Sequence, residues 1–137
     1  MINDHMPEYT VERCGKILNR HRKALNGSRV LVIGVAYKQD IDDYRESPAL
    51  RVIEELEKTG ASVTFYDPYI SEYRYHGKSH KGEAALSAGL LRNTDLVVVT
   101  AAHTNVDYDF VQRYAHAVFD TKNVMKAVAV RTNIEVL

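Results

Sequence analysis

Two hydrophobic periods alternate along the chain. Residues 29–35 and 95–100 are apolar at nearly every position, the pattern of strands covered on both faces in a parallel sheet. Between them, Ala49, Leu50, Val52, Ile53 and Leu56 recur at helical spacing. Ser47 stands before that helix as a side-chain cap, Pro48 takes its first position and Gly60 stops it. Residues 61–66 read as a second strand, closed by Asp67-Pro68 because the residue before a proline is pushed away from helical angles. Residues 82–93 and 107–115 show helical spacing, and residues 117–120 form a last clear strand. Upstream, residues 7–21 place Val11, Cys14, Ile17 and Leu18 on one helical face, and Asn26-Gly27-Ser28 marks the turn that follows. Residues 69–81 are polar and tyrosine-rich and read as a surface connection.

Alternation of this kind predicts an α/β fold: a doubly wound, mainly parallel, Rossmann-like three-layer sheet preceded by an N-terminal helix. In such sheets ligands bind at the carboxyl ends of the strands, which makes the loop after residues 29–35 the first place to look. A chain of 137 residues buries roughly 68% of its unfolded surface, so a real core is expected. The 18 basic and 18 acidic residues balance, which leaves no long-range field to gather nucleic acid or a membrane surface; an anion site must be local. Charged residues interrupt every apolar run before it reaches about 20 positions, so no membrane span is expected and the chain reads as cytoplasmic. The lone Cys14 excludes an internal disulfide, and with no histidine arranged to activate it, packing is its expected role.

The glycine fingerprint of a dinucleotide turn is absent, since Gly34 is followed by Val35-Ala36-Tyr37-Lys38. Asp67 stands where such folds place a ribose-binding carboxylate, but without those glycines it reads better as a turn residue ending a strand. Lys38 and Arg45 can present donors to phosphates; equally, they can neutralise Asp40, Asp42, Asp43 and Glu46. Asp42 and Asp43 offer a weaker divalent-metal reading, and no metal is expected. His76 and His80, four apart, read as solvated loop residues. His103 follows the strand at 95–100 and Lys122 the strand at 117–120. Topology therefore offers Lys38, Arg45, His103 and Lys122 to one sheet edge.

At Gly34-Val35-Ala36-Tyr37-Lys38 and Asp42-Asp43-Tyr44-Arg45-Glu46-Ser47-Pro48 the chain resembles the C-terminal, UDP-binding domain of the UDP-glucose/GDP-mannose dehydrogenase family. Tyr66-Asp67-Pro68-Tyr69, Thr100-Ala101-Ala102-His103 and Asp120-Thr121-Lys122-Asn123 follow in that family's order. The wording is most similar to the UDP-N-acetyl-hexosamine 6-dehydrogenases of surface-polysaccharide synthesis. The resemblance implies oxidation of a UDP-sugar C6 hydroxyl to a carboxylate with NAD, in an enzyme whose N-terminal domain holds NAD and whose central helix makes a homodimer. It implies residues 1–26, with Asn3-Asp4 and Met6-Pro7, as the end of the central helical region, and residues 27–137 as the UDP-sugar-binding domain. Lys38 would contact substrate in the active site, Tyr37, His103 and Lys122 would line the substrate site, and Arg45 would meet the NAD phosphates. Lys122 stands where the family usually has arginine. Neither the family's nucleophilic cysteine segment nor its glycine-rich NAD turn is present, and Cys14 is not that cysteine; the chain is expected to be part of a larger enzyme and inert alone. A free-standing nucleotide-sugar-binding module is the alternative, and a scaffold using the helix at residues 7–21 a more remote one.

Overall fold

The structure, a computed structural model, describes residues 6–137; Asn3-Asp4 lies outside the described residues. Helix α1 (Met6–Arg20) precedes a chain of β1 (Arg29–Ile33), α2 (Pro48–Lys58), β2 (Ser62–Tyr66), β3 (Glu72–Tyr75), β4 (Lys78–Lys81), α3 (Ala88–Arg92), β5 (Leu96–Val99), α4 (Tyr108–Tyr114), β6 (Val118–Asp120) and β7 (Ile134–Val136). Five strands form one parallel sheet in the order β2-β1-β5-β6-β7. The chain leaves β1 toward β2 and returns to β5 on the other side of β1. The strand order therefore reverses between β1 and β5, the point at which open sheets leave a crevice.

Each central strand serves two cores. Val30 and Val32 of β1, with Leu96 and Val98 of β5, face α1 and α2, whose Val11, Leu18, Leu50, Ile53 and Leu56 complete one layer. Leu31, Ile33, Val97 and Val99 face the opposite way, toward Leu91 of α3 and Val111 of α4. That division is the period-two alternation of a strand with both faces buried, and it is why Val30–Ile33 and Leu96–Val99 contain no polar position. In α2, the Ser47 hydroxyl accepts from the Ala49 amide at 3.3 Å and donates to the Ala36 carbonyl at 3.3 Å, so the cap also ties the helix to the loop after β1. Cys14 is fully buried, and burial pushes its thiol up to about 12; it is a packing residue.

Three elements depart from the sequence reading. Residues 69–81 contain the antiparallel hairpin β3–β4, with Tyr73 paired to His80. His76 and Gly77, at φ 49° and 77°, make the tight turn that matches strand twist. Tyr73 is buried against Phe65, ring centroids 5.1 Å apart, and stacks on His80 at 4.6 Å. The helix expected at 82–93 is only Ala88–Arg92, because Glu83 is spent on the open edge of β2, where its amide donates to the Phe65 carbonyl at 2.8 Å, and the Ser87 cap starts the helix late. The fifth strand, β7, was not anticipated.

Strand β7 is held by α1. Glu135 accepts from Arg13 at 2.8 Å and pairs with Arg20, and Arg13 also donates to the Val136 carbonyl at 3.1 Å. Partial burial works against the Glu135 charge, but the Arg13 hydrogen bond and both guanidinium charges outweigh it and hold the carboxyl below its usual range. These groups are partly exposed, so Glu135→Gln is expected to lower the unfolding free energy by about 1 kcal/mol, between a surface pair and a buried charge-assisted bond. A depressed folded value means that the stabilisation is complete above the ordinary glutamate value near ~4.3 and is lost as pH falls through the folded value. Denaturant melts of wild type and variant should therefore differ near neutrality and converge in acid. No helix among the described residues is long and apolar enough to cross a membrane.

Candidate functional site

The carboxyl ends of β1, β5 and β6 are sewn together by side chains that follow each strand. Thr100 donates from its hydroxyl to the Gly34 carbonyl, and Thr121 to the Val99 carbonyl at 2.6 Å. Asp120 is fully buried and takes three amides: Lys122 at 3.1 Å and Val124 at 3.3 Å on one oxygen, Met125 at 2.8 Å on the other. That coil fixes where Lys122 leaves the sheet. Gly34 adopts φ 94°, and its open side is filled by the next strand's loop: a Cβ there would stand 2.5 Å from the Ala101 Cβ and 2.8 Å from the Ala101 nitrogen.

Asp67, at the end of β2, organises the loop after β1. Its Oδ2 accepts from the Val35 and Ala36 amides at 2.8 and 3.2 Å and from His103 Nε2 at 2.8 Å, while Oδ1 accepts from the Tyr69 amide at 2.8 Å. The local turn expected of Asp67 is present, and the longer-range bonds are added to it. His103 was expected at the crevice surface. It lies beneath it, 0% exposed, with Nδ1 accepting from the Asp40 amide at 2.8 Å, so neither ring nitrogen is available to a ligand.

Above this network Tyr37, Lys38 and Lys122 share a recess of about 310 Å³ with Thr100 and Ala102. Both lysines are exposed, and neither ammonium forms an ion pair among the described residues; Lys38 lies 5.9 Å from the centroid of the Tyr37 ring. A narrower, mostly apolar recess of about 130 Å³, bounded by Met6, Pro7 and Val52, adjoins it through Thr100 and Lys122. The structure thus brings Lys38, Tyr37 and Lys122 together. It does not bring Arg45 to them, which corrects the expected four-way convergence: Arg45 forks onto Asp43, both bonds at 3.1 Å, and lines other recesses with Tyr44. The Arg45 hydrogen bonds hold the Asp43 carboxyl below its usual range. The Thr104 amide does the same for Asp40.

The metal reading of Asp42 and Asp43 finds no support in geometry, since Asp43 is engaged by Arg45 and among the described residues no group of three or more His, Cys, Asp or Glu side chains is placed to hold an ion. His76 pairs with Glu54 at 2.6 Å, and His80 is half-buried against Tyr73 rather than solvated. Sequence reasoning missed Thr100, Thr121 and Asp120 as the residues that set the recess; an aspartate or threonine directly after a buried strand, where side chains bond the next amides, was the available signal.

The model of the UDP binding domain of the UDP-glucose/GDP-mannose dehydrogenase family matches residues 31–127. The chain belongs to that family. It is 33% identical over 132 residues to the UDP-N-acetyl-D-mannosamine dehydrogenase of Methanocaldococcus jannaschii, a match spanning 90% of this chain and 28% of that protein. It is 36% identical over 98 residues to the UDP-glucose 6-dehydrogenase AglM of Haloferax volcanii, across 72% of this chain and 22% of that one. Among solved structures, the NDP-N-acetyl-D-galactosaminuronic acid dehydrogenase of Methanosarcina mazei superposes with a TM-score of 0.79 at 27% identity, covering 98% of this chain and 29% of that one. This UDP binding domain therefore spans under a third of the length of these relatives.

Proposed function

We propose that this domain grips the diphosphate of a UDP-sugar for an NAD-dependent 6-dehydrogenase, which oxidises the sugar C6 hydroxyl of a UDP-N-acetyl-hexosamine or UDP-glucose to a carboxylate. The supporting observation is the recess at the strand-order reversal, where two ammonium groups with no carboxylate partner among the described residues stand on loops that the fold itself has fixed. A diphosphate diester carries two negative charges, and Lys38 and Lys122 supply two positive ones as point charges. The Tyr37 ring, 49% exposed, gives the same wall a flat apolar surface.

NAD does not fit a seat made from these residues. A dinucleotide turn uses its glycine to admit a pyrophosphate, and here the open side of Gly34 is occupied by Ala101. The cofactor would be held mainly by a domain other than this one, with Arg45 reaching its phosphates. The Arg45–Asp43 pair is largely exposed, and solvent screens such a pair strongly, so a phosphate could displace Asp43 at small expense. In the same reading residues 1–26 end a central helical region that makes a homodimer, and residues 27–137 cap the substrate.

Titration calorimetry of the chain with UDP tests the grip. Lys38→Ala and Lys122→Ala are each expected to weaken UDP about tenfold, or 1.4 kcal/mol, in keeping with loss of one exposed charge-assisted bond. Arg45→Ala should leave UDP within twofold while raising the NAD requirement of the whole enzyme. UDP binding that ignores both lysine substitutions would remove this reading.

A further inference from the structure

We propose that His103 is a positioning residue for the candidate site: as its Nε2–H tautomer it locks the loop that carries Lys38 to the ends of β2 and β5. The inference rests on the UDP-grip reading for its functional consequence, and on geometry alone for the lock.

The tautomer follows from the partners. The Asp40 amide can only donate, so Nδ1 must be unprotonated to accept from it at 2.8 Å. The ring's proton is then on Nε2 and is donated to the Asp67 carboxylate at 2.8 Å. The Asp40 side chain returns the connection, accepting from the Thr104 amide at 2.8 Å and the Thr104 hydroxyl at 2.9 Å. Two loops are therefore joined by reciprocal bonds, and Asp67 joins both to β2. The lock also offsets a backbone cost, since Asp40 adopts φ 58°, a left-handed conformation less favourable for any non-glycine residue, though less so for aspartate than for most. Lys38 lies two positions earlier on the same loop, so its direction depends on where Asp40 is pinned.

The lock also depends on protonation. A second ring proton, on Nδ1, would meet the Asp40 N–H head on. The charged and titratable groups facing the ring are Asp67, the Asp40 carboxylate at 3.8 Å from Nδ1, and Tyr69, whose ring centroid is 5.0 Å away; Tyr108 donates to the His103 carbonyl. An imidazolium would draw the Asp40 carboxylate inward in place of its amide, and Thr104 would lose its acceptor. Loss of the bond to the Asp40 amide would free the segment that carries Lys38 from its tie to the β5 loop.

The test uses the labelled chain without ligand. Long-range proton–nitrogen spectra should show His103 with Nε2 protonated and Nδ1 bare. Exchange of the Asp40 amide, corrected for its intrinsic rate, should be at least tenfold faster in His103→Ala than in wild type. In wild type, that exchange should also accelerate as the ring takes its second proton, followed by its own nitrogen shifts. His103→Asn serves where the alanine variant does not fold: it keeps an acceptor within reach of Asp40, and should hold the amide at low pH without the wild-type acceleration. An Nδ1–H tautomer, or an Asp40 amide indifferent to the alanine change and to ring protonation, would overturn the proposal. Failure of the wild-type chain to bind UDP would strike the ligand reading and leave these ligand-free measurements to decide the lock.

Discussion

Asp67→Ala is expected to lower the unfolding free energy by about 3 kcal/mol and to abolish measurable UDP binding. The substitution takes the acceptor from four donors: the part-buried Tyr69 amide, and three in buried surroundings, the Val35 and Ala36 amides and His103 Nε2–H. An orphaned buried donor costs roughly 1–3 kcal/mol, and removing a carboxylate that was itself costly to bury offsets part of the sum. The scale of the effect separates this carboxylate from those on the surface. Asp43 also pairs with a cation, but Arg45 is 83% exposed, so Asp43→Ala should leave stability nearly unchanged. Urea melts of the two variants side by side are decisive: equal losses would mean that the network under the loop does not organise it. Binding should follow the same order, because Lys38 rides on the loop that Asp67 anchors.

Gly34→Ala is expected to be similarly severe, at about 3 kcal/mol. The residue stands at φ 94°, where a side chain costs about 1–2 kcal/mol, and the new methyl would lie 2.5 Å from the Ala101 Cβ and 2.8 Å from the Ala101 backbone nitrogen. The contact is with a buried loop that cannot swing aside, so the β1 and β5 loops must separate, and overpacking of that kind costs a further 1–3 kcal/mol. Those two loops form opposite walls of the Lys38 recess, so UDP affinity should fall with stability. Gly89→Ala is the control of opposite sign. Nothing lies within 4 Å of its added methyl, and alanine in a helix is favoured over glycine by up to about 1 kcal/mol. Loss of stability at position 89 comparable to that at position 34 would refute the steric account.

The elements legible in the sequence are those whose physics is one-dimensional. β1 and β5 are covered on both faces, so burial wrote an uninterrupted apolar run, and α2 declares its start with Ser47-Pro48. The hairpin was hidden because its apolar face is made by Tyr73 and half-buried Tyr75 among charged neighbours, residues whose burial depends on Phe65 arriving from another strand. β7 has three residues, pairs only with β6 among the described residues, and is tied to α1 through Glu135 by partners more than a hundred positions away. The site divides on the same line. Lys38 and Lys122 were placed correctly at one edge by topology alone. Arg45 sits in the motif that suggested convergence, but loop direction is not encoded in spacing, and Asp43, two residues distant, takes its guanidinium. For His103 the strand end was legible and the depth was not: only the positions of Asp67 and Asp40 in space reveal that both ring nitrogens are already committed.

The most direct test of the central claim is amide chemical-shift mapping of the labelled chain as UDP is added. The largest changes are predicted at residues 34–39, 100–102 and 121–123, which wall the recess between the β1, β5 and β6 ends, and they should vanish together in Lys38→Ala/Lys122→Ala. Changes centred instead on Tyr44, Arg45 and Arg74, or persisting unchanged in the double variant, would contradict a diphosphate held by those two lysines.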